Sequence, residues 1–194
     1  MAGPATQATG QTRAVRVIVI LLALAVFINA LDRGNFSTAT PLIKSDLKLS
    51  NTQIGLLISA FFWTYVPGHI LAGWLVDRFN AYRTLTFGLA LWSLATFLTG
   101  FAGGFVSLLV LRLLLGAGES VGFPATSSLL ARHVPAERLA SANAWTGVGL
   151  MMGNGVGVFV GGLLIASYGW PALFFVFGVL SMLWLVPWSL VRRP

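Results

Sequence analysis

The 194-residue chain has no cysteine and few charged residues, and only five of its residues are acidic. Without cysteine it has no disulfide framework, no thiol nucleophile and no cysteine-ligated metal site. Charged residues make up 9% of the chain, whereas an ordinary soluble domain has about a quarter. A soluble fold of this size could not cover its surface with so few charges. The composition therefore predicts an integral membrane protein.

Hydrophobic residues are abundant instead, at 57% of the chain, and they occur in six long stretches. About 20 mostly apolar residues are enough to span a bilayer as a helix. Polar or turn-forming segments such as Asp77-Arg78-Phe79-Asn80 and Gly103-Gly104 separate the stretches. We predict an all-α membrane protein with six transmembrane helices, at residues 15–39, 52–76, 84–102, 105–131, 139–166 and 171–191.

The start of the first apolar stretch sets the only predicted domain boundary. Residues 1–12 are small and polar, and we predict a disordered tail there, followed by a six-helix bundle over residues 13–194. The apolar run from Val17 to Ala30, which follows Arg13 and Arg16, resembles the apolar core of a signal peptide. It continues into Leu31-Asp32-Arg33 without a small-residue cleavage site, so we expect it to be retained as a helix.

The net charge of +7 also occurs in nucleic-acid-binding proteins, but here the basic residues are scattered at the ends of apolar stretches. We therefore expect the lipid bilayer, and not nucleic acid, as the surrounding partner. If the spans alternate, Lys44 and Lys48 lie on one side of the membrane. By the positive-inside rule both termini are cytoplasmic, in what we expect to be a bacterial inner membrane. The basic residues on the cytoplasmic side are then Arg13, Arg16, Arg78, Arg83, Arg132, Arg138, Arg192 and Arg193.

Four charged residues interrupt the apolar stretches and are the strongest functional signal. Asp32 and Arg33 lie in the first stretch, and Arg112 and Glu119 lie in the fourth. Ionisable groups at membrane depth usually face a protein interior or a wet cavity and mark a substrate or proton path. Arg112 and Glu119 are seven residues apart and so share a helical face. If the six helices are two three-helix units, the first and fourth helices correspond, which predicts a midplane site lined by both.

One anion-binding arginine beside one protonatable acid is the minimum equipment for coupling an organic anion to a proton. Arginine recognises planar carboxylates through bidentate hydrogen bonds. A carboxyl group in a low-dielectric, partly wet site can take up and lose a proton as a neighbouring charge comes and goes. The alternative interpretation is that Asp32–Arg112 or Arg33–Glu119 are structural pairs that lock two helices together.

Other polar residues at depth are weaker candidates. Tyr65, in an aromatic run of the second helix, and Asn154, in the fifth, could reach a substrate; the alternatives are core packing for the aromatic run and a polar contact between helices for Asn154. We expect His69 to pack and His133 to have no particular role. The chain has no phosphate-binding loop, no HExxH motif and no Ser/His/Asp set. We therefore predict no catalytic residue, metal site or cofactor, and we do not expect an enzyme.

The fifth helix has a glycine at every fourth residue over four turns. Such a face admits another helix backbone at close range. Contact within the same bundle is one interpretation, and the length of the face favours a crossing against a separate bundle. The predicted interface consists of Gly149, Gly153, Gly157 and Gly161.

As a set, the motifs resemble the N-terminal half of a major facilitator superfamily transporter, most of all the anion:cation symporter family with its sugar-acid/proton symporters. These motifs are Asp32-Arg33-Gly34-Asn35, Phe61-Phe62-Trp63-Thr64-Tyr65, Gly73-x3-Asp77-Arg78, Arg112-x3-Gly116-x-Gly118-Glu119 and Gly169-Trp170. The resemblance implies one half of that fold, built from 3+3 inverted repeats. It also implies roles for individual residues: Arg33, Arg112 and Asn35 at the substrate cavity, Glu119 and Asp32 as proton-coupling acids, and Gly73, Asp77 and Arg78 in a gating loop.

The resemblance further implies symport of a proton with a small organic carboxylate, with a sugar acid as the expected substrate. Superfamily members have twelve spans in two halves, whereas this chain has six, so we expect a homodimer or a separate C-terminal half as partner. The rival interpretation is a truncated half that does not transport, or an assembly partner. The family's loop motif has glycine where Asn80 stands and a basic residue where Tyr82 stands. We expect Asn80 to preserve the turn because asparagine tolerates positive φ.

Overall fold

The computed structural model describes the backbone of residues 4–191 and the side chains of residues 15–191. Residues 1–3 and 192–194 lie outside the description. The disordered tail predicted over residues 1–12 covers residues 1–3 and further residues whose side chains are not described. It therefore stays a prediction. Within the described range the chain forms helices and no strands: α1 (Pro4–Asp46), α2 (Asn51–Arg78), α3 (Ala81–Thr99), α4 (Phe105–Glu119), α5 (Gly122–His133), α6 (Ala136–Tyr168) and α7 (Trp170–Leu190).

The predicted all-α membrane fold is confirmed. Five segments of the described chain are long and apolar enough to cross a membrane: Val15–Asp46, Asn51–Arg78, Phe105–His133, Ala136–Tyr168 and Trp170–Leu190. The third predicted span, α3, is less apolar because it carries Arg83 and several hydroxyl side chains. Thr84, Ser93, Thr96 and Thr99 of α3 are buried, because this helix packs against α4, α5 and α7.

The first helix continues beyond its predicted end at residue 39. Pro41 lies inside α1, which ends only at Asp46, and Ile43 is completely buried there. The second helix then begins at a capping box: Ser50 Oγ accepts from the backbone N–H of Gln53, and Gln53 Oε1 accepts from that of Ser50. The loop between the first two helices is therefore shorter than the predicted spans, 15–39 and 52–76, indicate.

The fourth predicted span is one membrane-crossing segment made of two helices. α4 ends at Glu119 and α5 begins at Gly122. Pro124 has no N–H, so it cannot bond the carbonyl of Ser120 one turn earlier, and the helix is interrupted at that point. Ser120 and Val121 between the two helices keep helical backbone angles, and both are buried in protein, where an unpaired backbone carbonyl at membrane depth is tolerated. The break places Glu119 at the last position of a helix inside the membrane.

Three helix pairs make the largest contacts: α1 with α6, α2 with α4, and α3 with α7. In a fold of 3+3 repeats, spans one, two and three correspond to spans four, five and six. The contact of α1 with α6 (spans one and five) then corresponds to that of α2 with α4 (spans two and four). The contact of α3 with α7 (spans three and six) corresponds to itself. The two corresponding pairs also share a packing device. A Cβ on Gly153 would collide with the carbonyl oxygen of Phe27 on α1, and one on Gly116 with that of Phe61 on α2.

The glycine face of α6 packs inside the bundle, so the prediction that it contacts a second bundle is wrong. A Cβ added to Gly149, Gly153 or Gly157 would meet backbone atoms of α1 at van der Waals overlap, and one on Gly161 would lie 2.9 Å from Leu173 of α7. Because the glycines have no side chains, the two backbones can approach this closely. The alternative interpretation, contact within the bundle, is confirmed.

Candidate functional site

Helices α1 and α4 bring a guanidinium and a carboxylate together. Arg33 Nε donates to Glu119 Oε2 at 3.0 Å, which is the only ion pair among the described side chains. The Glu119 side chain is completely buried, whereas 30% of the Arg33 side chain is exposed. Arg33 is therefore the charged group through which this cluster can be reached from outside the bundle.

Asn29 and Tyr65 hold the rest of the Arg33 guanidinium. Its Nη2 donates to Asn29 Oδ1 at 2.9 Å and to the Tyr65 hydroxyl. The guanidinium also lies 4.6 Å from the centroid of the Tyr65 ring, in cation–π contact. The structure thus brings together two of the predicted substrate-binding residues, Arg33 and Tyr65, and His69 packs edge-on against Tyr65 at 4.3 Å. Asn29 was not predicted, although its position four residues before Arg33 on the same helix face is a usable signal.

Arg112 has a different environment. It is buried, its Nε donates to the backbone carbonyl of Leu57 at 3.1 Å, and its guanidinium lies 4.5 Å and 4.9 Å from the rings of Phe36 and Phe61. Within the described residues it forms no ion pair. Of the two structural pairs considered from the sequence, Arg33–Glu119 is present and Asp32–Arg112 is absent.

The aromatic run of α2 is divided between the two faces of the helix. Phe61 stacks on Tyr65 with ring centroids 4.9 Å apart, and it also contacts Arg112, so it links the surroundings of the two arginines. Phe62 and Trp63 are exposed on the other face. Because successive helical residues are rotated by about 100°, the run presents Phe61 and Tyr65 to the arginines and the other two rings outward, and its lining of a substrate cavity stays a prediction.

Asp32 lies on the side of α1 that faces α7. Its Oδ2 accepts from Ser181 Oγ at 3.1 Å, and its Oδ1 accepts from Asn35 Nδ2 at 3.2 Å. Asp32 and Asn35 are both buried, and neither bonds to the Arg33 guanidinium. The structure therefore separates these two predicted site residues from the Arg33–Glu119 pair. A direct substrate contact from Asn35 stays a prediction that this arrangement does not support.

The remaining predicted site residues are also outside the Arg33 cluster. Asn154 lies on an exposed face of α6, where its Nδ2 donates to the carbonyl of Leu150 at 3.0 Å. Asp77 and Arg78 are exposed at the end of α2. Gly73, one turn earlier, has open space where a side chain would be. These positions are accessible, and their roles as substrate ligand and gating loop stay predictions.

The two departures from the family's loop motif have structural explanations. Asn80 has an extended backbone with φ of 169°, so the expected positive φ is wrong; its Oδ1 instead caps α3 by accepting from the N–H of Tyr82 at 2.8 Å. Tyr82 is buried, stacks on Trp188 and shares a hydrogen bond of 3.1 Å with His133 Nε2. His133, expected to have no particular role, therefore connects α5 to α3.

Known proteins resemble the chain both in sequence and in fold. Residues 22–194 match the Major Facilitator Superfamily. The chain is 33% identical to the hexuronate transporter of Bacillus subtilis over 171 residues, which cover 88% of this chain and 40% of that protein. It is 34% identical to the chloroplastic ascorbate transporter of Arabidopsis thaliana over 176 residues, 89% of this chain and 32% of that protein. The chain thus spans well under half the length of these relatives.

A bacterial homologue of the human lysosomal transporter Spinster, solved in an inward-facing and unoccupied conformation, has a similar fold. It superimposes with a TM-score of 0.79 over 93% of this chain and 43% of that structure, at 23% sequence identity. At this identity the likeness concerns the fold alone. The two sequence relatives are named as transporters, so the expectation that the chain is not an enzyme is confirmed.

Proposed function

The chain belongs to the major facilitator superfamily and is a multi-pass membrane protein, and from this premise we propose that it forms one six-helix half of a transporter for small organic anions. The observation that carries the proposal is the Arg33–Glu119 pair, a partly exposed guanidinium bonded to a fully buried carboxylate inside an apolar bundle. Relatives named for hexuronate and ascorbate favour an anion derived from a sugar as the substrate.

Arg33 is the proposed first contact of the anion. Of Arg33 and Arg112, only Arg33 is partly exposed. Its planar guanidinium can bind a carboxylate through two parallel hydrogen bonds. The Tyr65 hydroxyl oxygen accepts from Arg33, and in this proposal its O–H donates to the anion. Arg112 contributes positive charge from behind the rings of Phe36 and Phe61.

Proton coupling in this proposal arises because Glu119 and the substrate compete for Arg33. An ionised Glu119 occupies the Arg33 Nε–H as an acceptor. When Glu119 takes up a proton, its attraction for the guanidinium falls and Arg33 is free to bind the substrate carboxylate. Proton and anion then occupy the site together, which is the condition for symport. Asp32, the second proposed coupling acid, bonds to Ser181 and would act on Arg33 without a direct hydrogen bond.

The proposed site requires a second bundle, because Arg33 would otherwise face lipid at a high energetic cost. Two helices have large uncovered faces: only 17% of the most apolar stretch of α6 and 22% of the most apolar stretch of α2 is buried. We propose that these faces contact a second copy of the chain or a separate C-terminal half. The two bundles would then rock about the site, with both termini in the cytoplasm of a bacterial cell.

Uptake into liposomes tests the transport proposal. The full chain is reconstituted, an inward proton gradient is imposed, and accumulation of labelled hexuronate is compared with that of the Arg33→Ala protein. We expect accumulation in the parent only when the gradient is present. Binding without accumulation would support a chain that needs a different second half, whereas neither binding nor uptake of any organic anion tested would contradict the proposal.

Cysteine crosslinking tests the second bundle, and it is clean because the native chain has no cysteine. Single cysteines replace Ile70 on α2 and Met151 on α6, both highly exposed, and the matched control replaces the equally exposed Phe87 on α3. In a homodimer we expect crosslinks between chains at the first two positions and not at the third. Transport by a protein that stays monomeric in the bilayer would refute the two-bundle mechanism.

A further inference from the structure

A groove runs between the N-terminal parts of α1 and α6. None of the residues of the site described above, Asn29, Arg33, Tyr65 and Glu119, lines it. It encloses about 650 Å³, within the range of about 300–1,000 Å³ typical of ligand pockets. Its walls are largely apolar and include Ile20 and Leu24 of α1 and Trp145 and Met152 of α6. These four side chains are between 44% and 60% exposed, so the groove is open to the outside of the bundle.

Two arginines from different helices line the same groove. Arg16 belongs to α1 and Arg138 to α6, and both are exposed. Among the side chains that the structure describes, neither lies within ion-pair distance of a carboxylate, although the exposed Glu137 precedes Arg138 in the sequence. Arg16 directly precedes the apolar run that begins at Val17, and Arg138 lies in the first turn of α6, which begins at Ala136. Because basic residues collect at the ends of apolar spans, we place both guanidinium groups near the membrane surface. Gly149 lies against Ala23 and Gly153 against Phe27, so α1 and α6 run parallel and the two arginines are at the same end of the groove.

We propose that this groove binds a phospholipid with an anionic headgroup. Its phosphate lies between Arg16 and Arg138, and an acyl chain lies along the apolar walls toward Met152. Arginine pairs well with phosphate oxygens, and basic pockets between transmembrane helices at the membrane surface bind anionic lipid headgroups. A purely apolar partner, such as the uncovered face of another bundle, would leave both guanidinium groups without an acceptor.

Trp145 makes the proposal measurable, because it lines the groove and its fluorescence is quenched by a brominated lipid in contact with it. The full chain is placed in nanodiscs that contain brominated phosphatidylglycerol or brominated phosphatidylcholine at matched mole fractions. Subtracting the signal of the Trp145→Phe protein isolates the response of this side chain from that of the other six tryptophans. The quantity measured is the relative association constant of the two lipids at Trp145.

We expect phosphatidylglycerol to be preferred, with each arginine contributing roughly fivefold and the two together on the order of 30-fold. Arg16→Gln and Arg138→Gln should each reduce the preference, and the double variant should abolish it. The matched control is Arg83→Gln, an exposed arginine at the start of α3 that does not line the groove. Unchanged quenching by brominated phosphatidylcholine in the double variant shows that the groove is still formed.

Three results would overturn the proposal. The preference could survive in the double variant, or the two lipids could quench Trp145 equally in the parent, which would indicate ordinary annular lipid. Finally, neither lipid could quench Trp145, which would mean that another bundle covers the groove. Since none of these measurements depends on transport, failure of the lipid site and failure of the proposed function are distinguishable.

Discussion

Asp32 and Arg33 are neighbours in the chain, but α1 places them in two different regions of the bundle. Arg33 faces α4 and α2, pairs with Glu119 and remains partly exposed. Asp32 faces α7, where it is buried and bonded to Ser181 and Asn35. The first region has a charge within reach of a ligand, and the second has all its polar groups inside protein. Charge at membrane depth therefore does not by itself mark a ligand contact.

The contact of α1 with α6 keeps these two regions apart. Neighbouring residues of a helix point about 100° apart, so the rotation of α1 decides which side chain faces α4. The glycine face of α6 holds α1 at one rotation and one distance. Changes at this contact, at the α4 side and at the α7 side should accordingly have different effects.

The largest expected effect is the loss of both regions when the α1–α6 contact is blocked. Gly153→Leu places a side chain against the carbonyl of Phe27, and it should destabilise the protein by about 3 kcal/mol or more because a backbone cannot move aside. Gly155→Leu, on the same helix with open space around it, is the matched control. The measurement is thermal unfolding in detergent. Equal stability of the two variants would mean that α6 does not hold α1.

The next largest effect is expected on the α4 side. Arg33→Ala removes the exposed guanidinium and should weaken binding of an organic anion at least about 100-fold. Arg33→Lys should rescue poorly because an ammonium group cannot form the bidentate pair. Binding is measured by equilibrium titration with labelled hexuronate on protein that is still folded. If anion affinity is unchanged in Arg33→Ala, the α4 side is not the binding region.

Glu119→Gln separates proton coupling from binding in the same region. Glutamine keeps the shape of the side chain and cannot ionise, so accumulation driven by a proton gradient should fall to the level of empty liposomes. Exchange of labelled for unlabelled anion should continue because Arg33 remains. Glu137→Gln, at an exposed glutamate in the first turn of α6, is the control and should behave like the parent. Gradient-driven accumulation by Glu119→Gln would transfer the coupling role to Asp32 or elsewhere.

The smallest effect is expected on the α7 side, and there on stability. Asp32→Ala leaves the Ser181 hydroxyl and the Asn35 amide without their acceptor and should cost about 1–3 kcal/mol. Asp32→Asn keeps an oxygen for one of them and should cost less. Thermal unfolding of the two variants and of Ser181→Ala measures the difference. Equal unfolding temperatures for the parent and Asp32→Ala would show that these hydrogen bonds do not hold α1 to α7.

Much of this molecule follows from periodic features of the sequence. Six apolar stretches predict the helical bundle. Because an unpaired charge is costly at membrane depth, the sequence also suggests ion pairs between helices, and Arg33–Glu119 is one of the two considered. The break after Glu119 was missed, although Pro124 signals it, because hydropathy averaged over a whole span does not register one missing hydrogen bond. The end of α1 was misplaced because Pro41 is a typical helix stop. In the structure the packing of the buried Ile43 stabilises a further turn, and the helix continues to Asp46.

The glycine face shows where such reasoning stops. Four glycines at a spacing of four residues predict a close helix contact, and α6 has one. The same pattern fits a helix of this chain and a helix of another, because the absence of a side chain carries no information about the identity of the neighbour. Only the packing of α1 along the face decided between the two interpretations.

The amino-acid sequence by itself determined that this chain is an apolar, helical membrane protein with a few charged residues at depth. These properties depend on composition and on residues close together in the chain. The tertiary structure decided that Arg33 pairs with Glu119, that Arg112 lies between Phe36 and Phe61, and that Asp32 bonds to Ser181. These contacts join residues of different helices. They depend on the rotation and closeness of whole helices, which the glycine crossings set and which no local pattern encodes.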